Sequence, residues 1–566
     1  MHIFSFIFYD EEVISLTEHA QTKLFSDKRL EISTADLLKR KQRFKSYTQE
    51  QQFLLPKNLN DFVGSGHIAR LVSTIIQQMD TAFVTATYKG GGASAYDPKM
   101  LLKVWILGFI SKTYSSRMLA KHLRENLPFI WISGNQTPDF RTLNNFRLRL
   151  KEDIKKIFKQ IVIYALENEI IDAKDVFVDH TKREANANKH KVVWKKQVER
   201  QLAKIDQELE SLFKYVDKIN EEEDEIFAGK DLPEQERQRF DQEKVKEIVD
   251  KINNQVRENK KTKEKAKEQK EKIRRIKELQ EREEQYQTKK QILGERNSFS
   301  KTDRDAVAMM MKDKLTVRPA YNEGIAVERG FVLNYVISQN CGDTISFIPL
   351  MNGVIDNAGK APENAHSDGA YGNEETMSYL EKKDIGNFLK YGTYYKEKKR
   401  NWKEKNRLEG LTYDKRKDEF TCPSGIKLNF EKEKPEITKT GFVRRIRVYR
   451  GEQGHCDRCP FHRSQTKTLS LSWNGERLKQ QAKTNLESEK GKELRMRRGN
   501  EVESVFGDQK LNKDKKRYNL RGLIKVNLEA GLYYIAHNLR KIHSWNSLTS
   551  QRLVLEKRFL VVAISS

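Results

Sequence analysis

Apolar residues recur at helical spacing through the first third of the chain. Ile68, Leu71, Ile75, Ile76 and Met79 fall on one face of a helix. Asp97 followed by Pro98 supplies an N-cap and a first-turn proline for the apolar run from Met100 to Ile110. Ser115 and Ser116 can cap a third helix through Leu119 and Leu123, and Asp139 a fourth that carries Arg141, Asn144, Asn145, Arg147 and Arg149. The pattern then changes. Asp175 to Thr181 is a compact β-branched run, which predicts a buried strand delivering Asp179 at its end, with Lys182 to Lys191 as a polar loop or bend.

A third pattern follows. Val198, Leu202, Ile205, Leu209, Leu212, Val216 and Ile219 alternate spacings of four and three, the seam of a coiled coil. Gly229 to Pro233 breaks it. A second arm resumes at Val245, Val249, Ile252 and Val256 and regains apolar positions at Ile273 and Ile276, so an antiparallel helical hairpin is expected. A loosely ordered charged helix or a partner-binding arm is the alternative, because the seam breaks over Asn259 to Lys265. From Tyr321 to Leu350 apolar and polar residues alternate around turns, as sheet strands do. Asp368 then stands just before a glycine turn, and a helix is expected from about Asn500 through Gln509, with Glu503, Phe506 and Lys510 on one face.

Composition adds a partner. The 566 residues exceed one domain, and a formal net charge of +26 points to a polyanion, with nucleic acid the default. The Arg- and Asn-bearing fourth helix suits a helix-turn-helix-like DNA reader, although a solvated basic face has the same composition. One third of the residues are charged and 37% are hydrophobic, so some segment must be poorly buried, and the hairpin holds most of that charge. The first twelve residues make a poor signal peptide, and no run approaches a membrane span, so a soluble cytoplasmic protein without membrane contact is expected. The four cysteines, Cys341, Cys422, Cys456 and Cys459, suit a reducing compartment. Cys422, Cys456 and Cys459 with His462 have the donors and the two-residue knuckle of a Zn²⁺ site; a metal-free turn with reduced thiols stays equally open.

Two strand-end acids and one helical acid can converge at one edge of a mixed sheet, where carboxylates hold hard cations with few protein ligands. A pair of such cations can activate the nucleophile and stabilise the leaving oxygen at a phosphodiester. With 81 acidic residues in the chain, context must select among them.

That context is a family resemblance. The stretches YTQEQQFLLPKNLNDFV, YDPKMLLKVWILGFISKTYSSRMLAKHLRENLPFIWISG, TPDFRTLNNFR, VFVDHTKREANANKHKVVWKK, HSDGAYGNEE and EVESVFGDQK, followed by RGLIKVNLEAGLYYIAHNLRK, resemble the bacterial insertion-sequence DDE transposases. They cover most of residues 47 to 541 in the family's order. The resemblance implies an α+β chain: a helical N-terminal DNA-binding domain and a ribonuclease H-like catalytic domain interrupted by a coiled-coil hairpin and a small cysteine-containing insertion.

The expected boundaries are an appendage at 1–45, the DNA-binding domain at 46–166, and the catalytic domain at 167–193, 300–383 and 471–545. The hairpin takes 194–299, the cysteine-containing insertion 384–470, and a tail 546–566. The resemblance implies Asp179, Asp368 and Glu503 as catalytic ligands of Mg²⁺ (or Mn²⁺), and Lys510 near DNA phosphate. Arg141, Asn144, Asn145, Arg147, Arg149, Arg517 and Arg521 are the further DNA-binding candidates.

Two departures stand out. The arginine that relatives often carry four residues before the glutamate falls on Gly499 here, with Arg498 nearest, which keeps Glu501 as an alternative ligand. His180 stands where relatives often have a small residue, and no catalytic role is assigned to it. The expected activity is cleavage and strand transfer at terminal inverted repeats and target DNA, with a homodimer or higher assembly on DNA. A catalytically inactive or domesticated DNA-binding copy is the alternative, and a nuclease that cuts without joining is a third reading.

Overall fold

A computed structural model of the chain describes residues 58–88, 94–226, 263–313, 315–398, 408–451 and 468–565, without side-chain detail at 216–226, 263–266, 269, 409 and 549–565. The expected appendage at 1–45, the far end of the hairpin, and Cys456, Cys459 and His462 lie outside the described residues.

Besides a 3₁₀ turn at Leu59–Phe62 and a single helical turn at Ala82–Thr85, six helices open the described chain: α1 (Ile68–Gln78), α2 (Pro98–Ile110), α3 (Ser116–Glu125), α4 (Leu127–Ile132), α5 (Phe140–Arg149) and α6 (Ile154–Glu167). The caps act as the sequence suggests. Asp97 accepts from the Met100 N–H at 3.0 Å and Asp139 from the Thr142 N–H at 2.7 Å, satisfying first-turn donors. Ser115 holds the cap position of α3 without a side-chain bond. Every residue of α2 from Met100 to Ile110 is buried, so this helix is the axle around which the others pack. The Trp105 indole N–H donates to the Leu143 carbonyl at 2.9 Å and pins α2 to α5. Gly108 permits the close approach of α3: a Cβ there would meet Leu119 Cδ2 at 2.6 Å.

The central sheet runs β4 (Val307–Met310), β5 (Val317–Glu328), β1 (Asp175–Glu184), β7 (Asn364–Gly372) and β8 (Gly386–Tyr391), with β6 (Phe331–Ser338) also paired to β5. β1 is antiparallel to β5, β5 to β6, and both β1–β7 and β7–β8 are parallel. The parallel pairs need crossovers, supplied by α9 (Phe347–Ala358) before β7 and α10 (Glu374–Lys382) before β8. β1 is longer than expected and continues through Glu184, so Lys182 to Glu184 are strand rather than loop.

Between β1 and β5 the chain leaves the sheet. The short strands β2 (Val192–Trp194) and β3 (Ser298–Ser300) pair at the base of two long helices, α7 (Lys195–Ile226) and α8 (Lys263–Leu293). Val198 and Leu202 share a buried cluster with Leu293 and Phe299, and Phe213 one with Ile273 and Ile276, which makes the helices antiparallel.

After β8 a second, five-stranded antiparallel sheet is ordered β13 (Thr468–Leu471), β12 (Val443–Gly451), β11 (Lys427–Ile437), β10 (Glu419–Thr421), β9 (Thr412–Asp414). Cys422 is buried among Phe420, Leu428, Tyr449 and Leu471. Helices α11 (Trp473–Glu487) and α12 (Glu489–Arg498) then lead to two π-helical turns, Gly499–Glu503 and Asp508–Asn512, separated by one α-turn. A last helix, α13, spans Leu523–Ser565. One continuous apolar core links Val72 and Leu107 of the opening helices, Val178 and Ile325 of the sheet, and Leu532 of α13. The whole is a mixed α and β architecture.

A polar knot lies inside that core. The Arg183 guanidinium, 1% exposed, donates to Glu323 Oε1 at 2.9 Å, and Glu323 is fully buried. The Tyr534 hydroxyl donates to the same oxygen at 2.7 Å and the Gln509 amide at 3.2 Å. Arg183 also lies over the Tyr518 ring at 3.7 Å. Removing one partner strands a buried charge. Glu323→Leu should therefore destabilise the chain by about 3–5 kcal/mol, and Arg183→Met combined with it should cost less than the two single changes together. Urea unfolding of the four proteins checks this; strictly additive losses would show that the pair is not coupled.

Candidate active site

The parallel ladder between β1 and β7 runs from Asp175–Asn364 to Val178–Ser367 and then stops. The next residue on each strand is an aspartate, Asp179 and Asp368. The pairing of β7 with β8 is also irregular between Ser367 and Gly372. The strands thus part where the two carboxylates stand. Asp179 is mid-strand in β1, held by its pairing with Ile325 of β5, yet it lies at the end of the parallel ladder.

One cation joins the two acids. Arg498 Nη2, at the end of α12, lies 3.1 Å from Asp179 Oδ2 and 3.1 Å from Asp368 Oδ2. Lys390 Nζ of β8 approaches Asp368 at 3.7 Å. Burial pushes the Asp179 carboxyl above its ordinary range, and neighbouring Asp368 adds to this, against the opposing pull of Arg498 and the His180 N–H. Two carboxylates sharing one cationic nitrogen suit a divalent ion, which often takes one or two protein carboxylates and completes its shell with water and substrate phosphate.

Glu503 is not brought to this pair. It is exposed on the first π-turn and does not join Asp179 and Asp368 in a three-acid group among the described residues. Nor do any three acids, histidines or cysteines stand together as a metal cage among the described residues. The expected common face for Glu503, Phe506 and Lys510 assumes a regular helix, and the π-turn Asp508–Asn512 alters the phase between Phe506 and Lys510. Glu501 is committed elsewhere: buried, it accepts from the Gly330 N–H at 2.7 Å and pairs with Arg497 at 3.3 Å.

His180 is buried. Its Nδ1 is 2.6 Å from the Tyr371 hydroxyl, and burial pushes its pKa down to about 4, so it is neutral. Gly324 makes room for it, since a Cβ there would lie 2.2 Å from His180 Nε2.

The basic candidates divide by burial. Arg147 is buried over the Trp105 ring at 4.5 Å and donates to Asn144 at 2.6 Å, so it is a packing residue and cannot reach DNA from there. Arg149 is exposed but donates to the Thr87 carbonyl. Arg141 and Asn145 are exposed on α5. Arg117 of α3 was not singled out from sequence, yet it and Arg141 both lie over the Phe140 ring, at 5.0 and 5.6 Å. Arg517 and Arg521 are exposed and donate to the backbone of Ala185 and Asn186, fastening the segment after β1. The cysteine reading is undecided by geometry, because only Cys422 of its four ligands is described.

Lys510 Nζ donates to the Thr181 hydroxyl, two residues beyond Asp179. Burial first, then neighbouring Lys312, lowers its pKa from 10.5 to about 8, against the pull of Glu323 and Asp179. The depressed value means that its charged form is penalised in the folded state below about 8, and that this penalty is relieved as pH rises from about 8 towards 10.5. In NMR of ¹³C-methylated lysines, one resonance titrating near 8 should disappear in Lys510→Met. The variant is needed because Lys155 and Lys513 are also pushed down to about 8. A Lys510 resonance titrating near 10.5 would contradict the burial argument.

Two family models match the chain. One, described as a transposase DDE domain, covers residues 421–543, which include Glu503 and Lys510 but neither aspartate. The other, a transposase domain (DUF772), covers residues 57–149, the opening helices. No curated protein and no solved structure matches the chain. No helix among the described residues is long and apolar enough to cross a membrane. One model thus lies on the helices that open the described chain and the other on the segment that follows the paired aspartates, and both are models of transposase domains.

Proposed function

We propose that Asp179, Asp368 and Glu503 are the metal-binding acids with which this transposase cleaves insertion-sequence DNA ends and joins them to target DNA. The observation that carries the assignment is the pairing of Asp179 with Asp368 beyond the last rung of the β1–β7 ladder. The strand order, with antiparallel β6–β5–β1 continued by parallel β7 and β8, supports a ribonuclease H-like domain. Glu503 is preferred to Glu501 because Glu501 already satisfies a buried backbone N–H and Arg497.

Mg²⁺ (or Mn²⁺), when bound, would polarise the phosphodiester and stabilise charge on the entering and leaving oxygens. The chain's own residues do the rest. The sheet holds the two aspartates side by side, and Lys510, anchored to Thr181, offers a donor beside β1. In the first reaction water attacks the phosphorus and the freed 3′-hydroxyl leaves. In the second, that hydroxyl attacks a target phosphodiester and a new 3′-hydroxyl leaves. α3 and α5 would present Arg117, Arg141 and Asn145 to the terminal inverted repeats, and the α7–α8 pair would hold flanking or target DNA. Two ends must be brought together, so a homodimer or larger assembly forms on DNA.

The test uses labelled DNA carrying the element's own ends, with Mg²⁺ or with chelator. Asp368→Asn and Glu503→Gln should lose nicking and joining while still binding the ends, whereas Glu501→Gln should melt earlier yet still cut. Cutting by Glu503→Gln with none by a folded Glu501→Gln would reverse the glutamate assignment. In a parallel binding series, Arg117→Ala and Arg141→Ala should each lower affinity and reduce the salt slope by about one. Arg147→Ala should instead lower the melting temperature and leave the salt slope of the folded protein unchanged; a reduced slope there would place Arg147 on the DNA.

A further inference from the structure

We infer that Arg498 is a built-in counter-cation that occupies the space between Asp179 and Asp368 when no metal is bound, and that DNA phosphate draws it away so that metal enters only with substrate. The inference rests on the assignment of these two aspartates as metal ligands. A single nitrogen, Arg498 Nη2, stands 3.1 Å from an oxygen of each carboxylate. Its side chain is 12% exposed, so little water screens the contacts. A guanidinium and a divalent cation repel each other and would claim the same two oxygens. Either must leave before the other is fully engaged.

Several features make Arg498 the group that yields. Its Nε is buried without a hydrogen-bond partner among the described residues, so its grip rests on the two carboxylates. Its helical neighbours are fixed by other bonds: Arg497 holds Asp175 at 2.9 Å and Arg495 the Tyr394 hydroxyl at 2.6 Å. Arg498 stands where α12 passes into the π-turn, and Gly499, next to it, has open space where a Cβ would be. A phosphate offers the guanidinium a bidentate partner of the same charge type as the carboxylates it leaves. Its departure would leave two adjacent carboxylates unneutralised, with Lys390 3.7 Å from Asp368, unless a divalent ion takes its place. Phosphate binding by Arg498 and metal binding by the aspartates therefore favour one another, and linkage makes the coupling reciprocal.

Mn²⁺ binding to the full chain, read by electron paramagnetic resonance, tests this without any catalytic turnover. Without DNA, Arg498→Gln should bind Mn²⁺ more tightly than the unmodified chain, by roughly five- to 150-fold, the usual range for coupled sites. Arg498→Lys, which keeps a cation, should fall between them. A duplex carrying the element's own end should tighten Mn²⁺ binding by the unmodified chain and have much less effect on Arg498→Gln. Asp179→Asn should abolish the signal in every case, and far-UV circular dichroism confirms that each variant is folded. Should Arg498→Gln bind no more tightly than the unmodified chain, through a site that still needs Asp179, the counter-cation role is overturned while the metal site stands. If Mn²⁺ binding is indifferent to Asp179, the metal assignment fails, and this inference with it.

Discussion

A buried arginine is costly to leave alone, and Arg183 is almost wholly shut off from solvent; the arrangement around it is the constraint on which the central sheet and the elements packed on it depend. Its charge is answered by Glu323 on the neighbouring strand β5. Glu323 in turn takes hydrogen bonds from Gln509, on the turn that carries Lys510, and from Tyr534 of α13. Thus one carboxylate ties two central strands, the segment beyond Glu503 and the last helix to a single point. Hydrophobic burial is non-directional and would tolerate a slip of any of these elements. A buried ion pair with two further donors is satisfied in one register only.

That anchor lies only four residues along β1 from Asp179, so precision in the knot is passed to the site through the strand. The site itself has the opposite character. Its carboxylates stand where the ladder opens, Asp368 is 49% exposed at its side chain, and the cation between them belongs to a helix end beside a π-turn. The knot is closed to water, whereas the two carboxylates are partly open to it. Such a division suits an enzyme whose substrate contributes part of the metal's coordination shell.

Much of this was legible in the sequence wherever a local rule decides the outcome. Asp97 and Asp139 cap the helices they precede because a side-chain oxygen three residues before a free N–H has one good use. The spacing of Val198, Leu202, Ile273 and Ile276 brings two long helices together for the same kind of local reason, although Phe213, outside the expected seam, is buried there while Leu209 and Leu212 are only partly so. Tertiary context decided the rest. Arg147 looks like a DNA reader beside Arg141 and Asn145, but its face of α5 is turned onto Trp105, and no periodicity of charged residues reveals that. A regular 3.6-residue phase places Glu503 with Phe506 and Lys510, whereas in the fold Glu503 is exposed and Phe506 buried. Arg498 drew notice only as the nearest basic residue to an expected position. Its contact with both aspartates depends on how α12 meets the sheet, which the sequence of α12 alone does not specify.

The net charge of +26 also means less, and then more, than it first suggests. Part of it is spent inside the fold. Arg147, Arg183, Lys513 and Lys515 are buried, and arginines of β12 meet acids on β11 or at Asp418. The paired ones are cancelled in the net charge by their acids, and the buried ones present little to a DNA backbone. Among the cations that stay exposed, Arg117 and Arg141 both lie over the ring of one phenylalanine, Phe140, with Asn145 one turn further along α5. A diffuse positive protein binds DNA anywhere along its length. Guanidiniums preset by an aromatic ring hold a defined orientation, and defined orientation is what recognition of one DNA end, rather than of DNA in general, requires.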